Sequence, residues 1–258
     1  MSAGASPPRA AGSQQSARWV REMFGRVARR YDLLNHLLSF QMDRYWRRRT
    51  VRRLRSRLQR PEAVVIDLCC GSGDLTLALE RAGEARVFGC DFSRPMLLEA
   101  RRKAAGGPVA HRLFEADALE LPLETGSADV LTVAFGFRNL ASYRAGLEEM
   151  LRVLKPGGVA AILEFSRPPN PVFRRLYEFY STRILPAVGN WISGDPEAYS
   201  YLPESVRRFP DAPTLAEEMR AAGFGDVAYF YMTGGIVSLH TGTAPPGNRR
   251  PGDLTSGG

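Results

Sequence analysis

The sequence predicts an α/β protein built on a doubly wound, mostly parallel sheet. Short apolar runs such as AVVIDL, ARVFGC, ADVLTVAF and GVAAILEF alternate with amphipathic segments such as DLTLALERA and YRAGLEEMLRVL. The apolar runs have the length of strands buried on both faces, and the amphipathic segments are typical of crossover helices. An open sheet of this kind binds its ligand outside the carboxyl ends of the strands.

The segments before and after the alternating strands and helices are predicted to form further elements: a helical lid at the N-terminal side and a hairpin at the C-terminal side. Residues 17–60 show apolar residues at spacings of three and four, which predicts an N-terminal helical lid. A helix near 213–222 precedes the runs DVAYFYM and IVSLHTG, which predict an antiparallel hairpin joined through Thr233-Gly234-Gly235. Residues 166–205 form an insert rich in tyrosine and proline.

Length and composition favour one domain. The 258 residues are 44% hydrophobic, which is enough for one substantial core, and we predict a single domain over 17–243. Residues 1–16 and 244–258 are rich in Gly, Pro, Ala and Ser, so both are predicted to be disordered tails.

The net charge of +8 comes mainly from the first sixty residues, where RWVREMFGRVARR and RYWRRRTVRRLRSRLQR are crowded together. This density favours an anionic partner, either nucleic acid or a membrane surface, although a solvated helix face has the same pattern. No apolar run approaches the roughly 20 residues that span a bilayer, and the N-terminus lacks the apolar stretch of a signal peptide. A cytoplasmic protein is therefore expected.

Cysteine and histidine usage points to neither disulfides nor a metal. Cys69, Cys70 and Cys90 are few and lie in segments of buried character, so they are predicted to be reduced. The three histidines are far apart in sequence and there is no CxxC pair, so no metal site is predicted.

A glycine turn follows the first predicted strand, in VVIDLCCGSGDLTLAL. Gly71 and Gly73 allow the backbone to turn tightly and to approach a ligand without an intervening Cβ. Asp67 and Asp74 would repel a phosphate, so a neutral or cationic nucleoside suits the turn better than a dinucleotide. The spacing matches neither the dinucleotide-binding fingerprint nor a P-loop.

Two further acids follow predicted strands. Asp91 ends the run ARVFGCD, where a carboxylate can accept hydrogen bonds from ribose hydroxyls or cap the next helix. Asp117 follows a third strand-like run, and with Ala118 it can address an adenine ring; by itself it is a turn residue. Together with Asp67, these acids lie on one predicted edge, which indicates a binding site.

The strings DLCCGSGD, GCDFSRPML, ADALELP and RVLKPGG resemble the successive motifs of class I methyltransferases that depend on S-adenosylmethionine. More narrowly, FGRVARRYDLLNHLLSF, AFGFRNL and GGIVSLHTG resemble the ubiquinone/menaquinone biosynthesis C-methyltransferase family, over roughly residues 20–243. The resemblance implies a class I methyltransferase-like fold with S-adenosyl-L-methionine as cofactor. It also implies that Ser72, Asp91 and the Asp117-Ala118 pair contact that cofactor, alongside Asp67, Gly71 and Gly73.

Four positions depart from the family pattern. The turn reads GSG where GTG is usual, which keeps a hydroxyl, and Ala134 replaces a serine found in some relatives. Gly25 and Gln41 replace the commoner Asp and Gly of the N-terminal motif, which leaves the lid geometry open.

The implied reaction is methylation of a ring carbon of a demethylated isoprenoid quinol, with demethylmenaquinol favoured over a ubiquinone precursor. In AFGFRNL, local sequence alone indicates a solvated turn, but its place after the fourth predicted strand puts Arg138 and Asn139 beside the reacting ring. Arg138 is predicted to stabilise a developing phenolate and Asn139 to bind a ring oxygen. Further candidates to line the quinol pocket are Tyr31, Asn35, Tyr177, Tyr199 and Tyr201.

Other functions stay open at this stage. The same fold can methylate another small molecule or RNA, and the basic composition also fits a nucleic-acid-binding protein. The last alternative is disfavoured because the aromatic insert lies more than a hundred residues from the arginine run. A membrane-dwelling substrate would give the basic region a peripheral contact with anionic lipid. The sequence does not decide the oligomeric state, and a homodimer is compatible with it.

Overall fold

Alternating apolar and amphipathic segments build one sheet flanked by helices in the computed structural model, which describes residues 21–22, 36, 39–184 and 204–246. In the described residues the sheet has seven strands: β1 Val64–Leu68, β2 Arg86–Asp91, β3 Leu113–Glu115, β4 Ala128–Ala134, β5 Leu154–Phe165, β6 Gly225–Met232 and β7 Val237–Thr243.

The strand order is β3-β2-β1-β4-β5-β7-β6. The pairs β3/β2, β2/β1, β1/β4 and β4/β5 are parallel, whereas β7 runs antiparallel to both β5 and β6. The chain moves outward from β1 to β3 and then returns to place β4 on the other side of β1. This reversal opens a crevice at the carboxyl ends of β1 and β4, and the arrangement confirms the predicted doubly wound fold with a C-terminal antiparallel hairpin.

Six α-helices surround the sheet in the described residues: α1 Met42–Leu58, α2 Asp74–Glu80, α3 Arg94–Lys103, α4 Tyr143–Val153, α5 Pro171–Phe179 and α6 Ala212–Ala221. Their starts are encoded locally. The side chains of Ser142, Asn170 and Asp211 accept backbone N–H groups at the first turns of α4, α5 and α6. A π-helical turn, Tyr180–Ile184, continues α5, and residues 204–208 are also helical.

Apolar cores cover both faces of the sheet. On one face Leu147 and Met150 of α4 pack with Leu215 and Met219 of α6 against the strands. On the other face a second core joins side chains of α1 and α2 to the strands, and it contains Trp46, Leu54, Leu58, Leu75 and Leu79. Burial on both faces explains why β4 has the nearly continuous apolar sequence ADVLTVA.

α1 belongs to the packed layer on the second face. Its Trp46 is buried and donates from Nε1 to Thr233 Oγ1 at 2.8 Å, in the 3₁₀ turn Thr233–Gly235 that joins β6 to β7. The helix thus begins at the carboxyl edge of β5 and ends near the opposite edge, where Leu58 O accepts from Glu84 N and Ala85 N. Apart from residues 21, 22 and 36, the part of the predicted lid before residue 39 lies outside the described residues.

The folded chain extends slightly beyond the predicted boundary at 243. Ala244 is buried, its N–H donates to Gly158 O at 2.9 Å, and its carbonyl accepts from Gly157 N at 2.8 Å. These two hydrogen bonds attach the residue after β7 to the N-terminal part of β5, so Ala244 is part of the folded domain rather than of the tail.

Candidate active site

A cavity of about 200 Å³ opens at the carboxyl ends of β1, β2 and β4. Its described lining carries four carboxylates, from Asp67, Asp74, Asp91 and Asp117, and one cation, from Arg47. Apart from Asn139, the remaining lining residues are apolar or small, among them Phe92, Met96, Leu119 and Phe135. A concave, mostly apolar site with a few converging polar groups is typical of a small-molecule site.

The glycine turn after β1 forms one wall of this cavity. Its backbone takes left-handed conformations at Cys69, Gly71 and Gly73, with φ of 50°, 55° and 85°. A Cβ added to Gly71 would meet nothing within 4 Å, so a ligand can approach this stretch of backbone closely. Gly73 serves packing instead, because an added Cβ would lie 3.1 Å from Cβ of Ala100 in α3.

Asp67 lies at the end of β1 beneath the turn. Its two carboxylate oxygens accept hydrogen bonds from Thr76 Oγ1 and Thr132 Oγ1, each at 2.7 Å. Burial raises the pKa of Asp67 to about 6, and the two hydroxyl donors oppose that rise. The carboxyl group is therefore held rigidly and ionises close to neutral pH.

Asp91 connects the end of β2 to the glycine turn. One carboxylate oxygen accepts from Gly71 N and the other from Ser93 N, both at 2.8 Å. Burial raises the pKa of Asp91 to about 6, against the lowering effect of these backbone donors. The helix-capping alternative is wrong, because Ser93 is the N-cap residue of α3, no side chain caps the helix, and Asp91 accepts the N–H of Ser93 itself.

The third acid is more exposed. Asp117 follows β3, and its Oδ1 accepts from Leu119 N at 2.9 Å while Ala118 beside it is buried. Both residues line the cavity, as do Gly71 and Ser72. The structure therefore brings six of the seven predicted cofactor-binding residues to one cavity, with Gly73 directly behind it.

The cysteines nearby are free thiols. Burial, followed by the charge of Asp91, raises the pKa of Cys69 and of Cys70 well above its usual value. Both residues line the cavity as neutral, weakly polar groups.

Arg138 and Asn139 belong to the 3₁₀ turn Phe137–Asn139 that follows β4. Asn139 lines the cavity, whereas Arg138 is only 3% exposed and is not among the described residues that line it. Arg138 Nη1 lies 3.0 Å from Oε1 of the fully buried Glu164, and its Nε donates to Ser205 Oγ at 3.3 Å. The same guanidinium donates to Phe135 O. The described contacts therefore support a role in fixing the turn that carries Asn139, and direct contact of Arg138 with substrate stays a prediction.

Sequence reasoning did not find Glu164. It lies in β5, accepts from Arg138 N at 3.2 Å and is matched in charge by the Arg138 side chain. Its one sequence signal is an acid inside the apolar run GVAAILEF, where an unpaired carboxylate would be costly. That signal indicates a buried partner without naming it.

A polar cluster at the start of α1 was also missed. Asp43 is buried, pairs with Arg47, and accepts from Ser39 Oγ at 2.8 Å; its Oδ2 lies 2.7 Å from His36 Nδ1. Asp74 lies close by and pairs with Lys103 Nζ at 2.5 Å. Burial alone would raise the pKa of Asp43, but Arg47 and the other partners hold it below its usual value.

The same cluster contains the donor atoms of a metal site, because ligand atoms of His36, Asp43 and Asp74 lie within 4.8 Å of one another. Both carboxylates already contact cations, Arg47 at Asp43 and Lys103 at Asp74. Side-chain cations therefore already neutralise the two carboxylates that would bind a metal ion. The described groups fit an ion-pair network better than a metal centre.

Most of the residues predicted to line the quinol pocket are not among those that the structure describes. Tyr31, Asn35, Tyr199 and Tyr201 lie outside the described residues. Tyr177 lies in α5 and is half-buried. Burial raises its pKa, and the positive charge of Arg138 acts in the opposite direction. Its contact with substrate stays a prediction.

Gly136 allows the chain just after β4 to pass directly beside the glycine turn, and its replacement should damage the site. An added Cβ would overlap Cβ of Cys69, so we expect Gly136→Ala to lower the free energy of unfolding by about 1–3 kcal/mol and to weaken cofactor binding. Urea unfolding and calorimetry measure the two effects. Gly107→Ala is the control, because Gly107 has ordinary extended backbone and its nearest contact would be 3.4 Å away. Equal effects of the two changes would contradict this account.

The doubly wound sheet, the glycine turn open to a ligand and the acids after β1, β2 and β3 define a nucleoside-binding α/β enzyme of the class I methyltransferase type. The sequence matches the ubiE/COQ5 methyltransferase family over residues 11–244. The chain belongs to that family, and S-adenosylmethionine is its cofactor.

Curated relatives cover nearly the whole chain. A demethylmenaquinone methyltransferase of Thermus thermophilus is 49% identical over 224 residues, which are 86% of this chain and 100% of the relative. A ubiquinone/menaquinone biosynthesis C-methyltransferase of Azotobacter vinelandii is 43% identical, with 90% of this chain and 92% of the relative aligned.

Solved structures share the fold at low sequence identity. A possible histamine N-methyltransferase of Thermotoga maritima superposes with a TM-score of 0.62 at 19% identity, covering 86% of this chain and 99% of that one. The [4+2]-cyclase SpnF has a TM-score of 0.62 at 17% identity, with 94% and 100% covered. These likenesses support the fold and leave the reaction to be argued from the family and the site.

Proposed function

We propose that this chain methylates a ring carbon of demethylmenaquinol, the reaction that corresponds to the name demethylmenaquinone methyltransferase. The observation that carries the proposal is the 49% identity to such an enzyme over its whole length. The cavity supports it, because the acids that suit a nucleoside lie at the carboxyl ends of the strands and the turn bearing Asn139 adjoins them.

The chemistry asks the protein mainly for alignment. The bound cofactor supplies an electrophilic methyl group on a sulfonium; a carbon–carbon bond forms as the sulfur–carbon bond breaks, and the ring releases one proton to solvent. Asp91 holds the nucleoside end of the site through its fixed carboxylate. Asn139 offers its amide to a ring oxygen, and Arg138 fixes the turn through Glu164. Phe135 supplies an apolar wall that limits water.

A methyl-transfer assay with labelled S-adenosylmethionine tests the function. The protein is incubated separately with demethylmenaquinol, with a demethylated ubiquinol precursor and with RNA, and oxidised demethylmenaquinone serves as a control of low nucleophilicity. We expect label in demethylmenaquinol and little in its oxidised form. Label confined to the ubiquinol precursor would favour the function named for the Azotobacter relative. Label confined to RNA, or absent from all arms, would refute the proposal.

A substrate with an isoprenoid chain is membrane-borne, and we propose that the enzyme docks on anionic lipid at the cytoplasmic face. No helix in the described part of the chain is long and apolar enough to cross a membrane. α1 exposes a row of arginines, Arg44, Arg48, Arg52 and Arg55. α5 exposes Val172, Leu176 and Phe179 by 76%, 64% and 59%. Their spacing places these three apolar side chains along one side of the helix.

The basic and apolar surfaces are neighbours. Phe40, just before α1, is 75% exposed, and its ring centroid lies 6.1 Å from that of Tyr180, just after α5. Both helices also meet the turn between β6 and β7, through Trp46 at Thr233 and through Phe173 at Gly234. Apolar side chains beside arginines suit insertion among lipid headgroups, at the carboxyl edge of β5.

Vesicle co-sedimentation tests the docking. We expect binding to anionic vesicles that weakens with added salt, and a several-fold loss in the double variant Leu176→Ser/Phe179→Ser. Leu98→Ser is the control, because Leu98 is 55% exposed on α3, toward the β3 end of the sheet. Equal recovery with neutral and anionic vesicles would show that this docking does not occur.

A further inference from the structure

The strand order arranges the walls of the cavity in sequence. Asp117 follows β3, Asp91 ends β2, Asp67 ends β1 and Phe135 follows β4, and the strands lie in the order β3-β2-β1-β4. A cofactor whose base and ribose lie near Asp117 and Asp91 must place its methionyl part toward the ends of β1 and β4. This is the part of the cavity where Arg47 approaches.

The charges of the described lining complement the charges of the cofactor. S-adenosylmethionine carries a sulfonium, an ammonium and one carboxylate. The lining offers four carboxylates, whereas Arg47 is the one Lys or Arg among the described lining residues. The single anionic group of the ligand therefore has a single cationic counterpart in this part of the wall.

Arg47 is located at the β1/β4 end by several contacts. Its guanidinium carbon lies 5.5 Å from the ring centroid of Phe135, and its Nη2 lies 3.9 Å from Asp74 Oδ2 beside the glycine turn. Its charge also acts on Asp67, whose pKa it lowers against the dominant effect of burial. The side chain is anchored from behind, because Asp43 accepts from Nη1.

The ion-pair network leaves Arg47 able to accept an anion. Asp43 also contacts His36 and Ser39, and Asp74 also contacts Lys103, so neither carboxylate depends on Arg47 alone. Arg47 Nε is buried and has no hydrogen-bond partner among the described residues. The Arg47 side chain is 13% exposed, so part of the guanidinium faces the cavity and can form charge-assisted hydrogen bonds with a carboxylate.

We propose that Arg47 binds the α-carboxylate of the methionyl part of S-adenosylmethionine. The assignment rests on the cofactor and not on the identity of the quinol. It makes α1 part of the cofactor site, and it gives the enzyme a means to prefer S-adenosylmethionine over sulfonium nucleosides that lack the carboxylate.

Calorimetric titration with two ligands tests the assignment. The ligands are S-adenosylmethionine and its decarboxylated analogue, which keeps the nucleoside, the sulfonium and the amine. In Arg47→Gln we expect the affinity for S-adenosylmethionine to fall by about ten- to a hundredfold, the range of one charge-assisted contact, and the affinity for the analogue to change by less than about threefold. Arg49→Gln, at an exposed position on α1 outside both the cavity lining and the row of arginines, should leave both affinities unchanged.

The outcomes separate cleanly. Equal losses for both ligands would mean that Arg47 only maintains the shape of the cavity, and no loss for either would mean that it does not meet the ligand; both results overturn the assignment. If Arg47→Gln does not fold, Arg47→Lys provides the ratio instead, and its preference for S-adenosylmethionine should still drop because a point charge replaces the planar fork. If the unaltered protein bound neither ligand, the assignment of S-adenosylmethionine as its cofactor would be wrong.

Discussion

Arg138→Met will lower the free energy of unfolding by about 3–5 kcal/mol and will remove most of the turnover. The change leaves the carboxylate of Glu164, which is 0% exposed, without its cation. It also removes the hydrogen bonds that Arg138 donates to Phe135 O and Ser205 Oγ. Urea unfolding measures the loss of stability, and labelled methyl transfer measures turnover. Calorimetry should show cofactor affinity within about threefold of the unaltered protein, because Arg138 lies outside the described cavity lining.

A second substitution separates stability from catalysis. Arg138→Met combined with Glu164→Gln removes both charges, so most of the lost stability should return while turnover stays low. Arg144→Met is the matched control, because Arg144 and Glu148 form an exposed pair whose loss should cost less than about 1 kcal/mol. Recovery of full turnover in the double variant would show that the pair is purely structural. Loss of cofactor affinity with an unchanged maximal rate would contradict the predicted role of Arg138 on the substrate side.

The contribution of Asp67 to the stability of the protein without cofactor will fall as pH rises from about 4 to 7, and Asp67→Asn will remove that contribution. Burial raises the pKa of Asp67 from 3.8 to about 6, so this carboxyl group holds its proton more often in the folded state than in the unfolded state over this window. The stabilising contribution of the protonated group is complete below pH 3.8 and is lost as pH passes through about 6. A shift of this size corresponds to about 3 kcal/mol.

Asp67→Asn keeps the shape of the side chain without its charge. Thr76 and Thr132 can donate to the amide oxygen or accept from the amide nitrogen, so the variant should be about 1–3 kcal/mol more stable than the parent at pH 7.5 and nearly equal to it at pH 4. Chemical unfolding at both pH values measures the difference. Asp117→Asn, an exposed position, should change stability by less than about 0.5 kcal/mol at either pH. A variant less stable than the parent at pH 7.5 would show that the charge of Asp67 does not destabilise the folded state.

Such an increase in stability would show that an ionised carboxylate in the active site destabilises the folded protein. Asp67 and Asp91 both have pKa values raised to about 6 by burial, and both line the cavity. In the protein without cofactor, ionisation of these two carboxyl groups destabilises the fold, whereas the ionised groups attract a cationic ligand. Binding of S-adenosylmethionine therefore relieves a charge arrangement that the fold alone does not favour.

Much of the fold could be predicted because it is encoded locally. The apolar period of AVVIDL and ADVLTVAF, the turn at Thr233–Gly235 and the Asp211 cap of α6 each act over a few residues. The gathering of Asp67, Asp91 and Asp117 in one cavity could be predicted as well, since parallel strands bring their carboxyl ends to one edge. These inferences need only periodicity, turn chemistry and the handedness of crossovers.

The sequence by itself thus determined the sheet, the family and the acid-rich edge, while the tertiary structure decided which charges meet. Arg138 lies 26 residues from Glu164, and Asp74 lies 29 residues from Lys103, and no local pattern pairs them. The pairing of Arg47 with the cavity depends on how α1 crosses the sheet, through Trp46 and Thr233 at its beginning. Ion pairs between distant residues follow from the packing of whole elements, because only packing brings such side chains within a few ångströms and removes them from water.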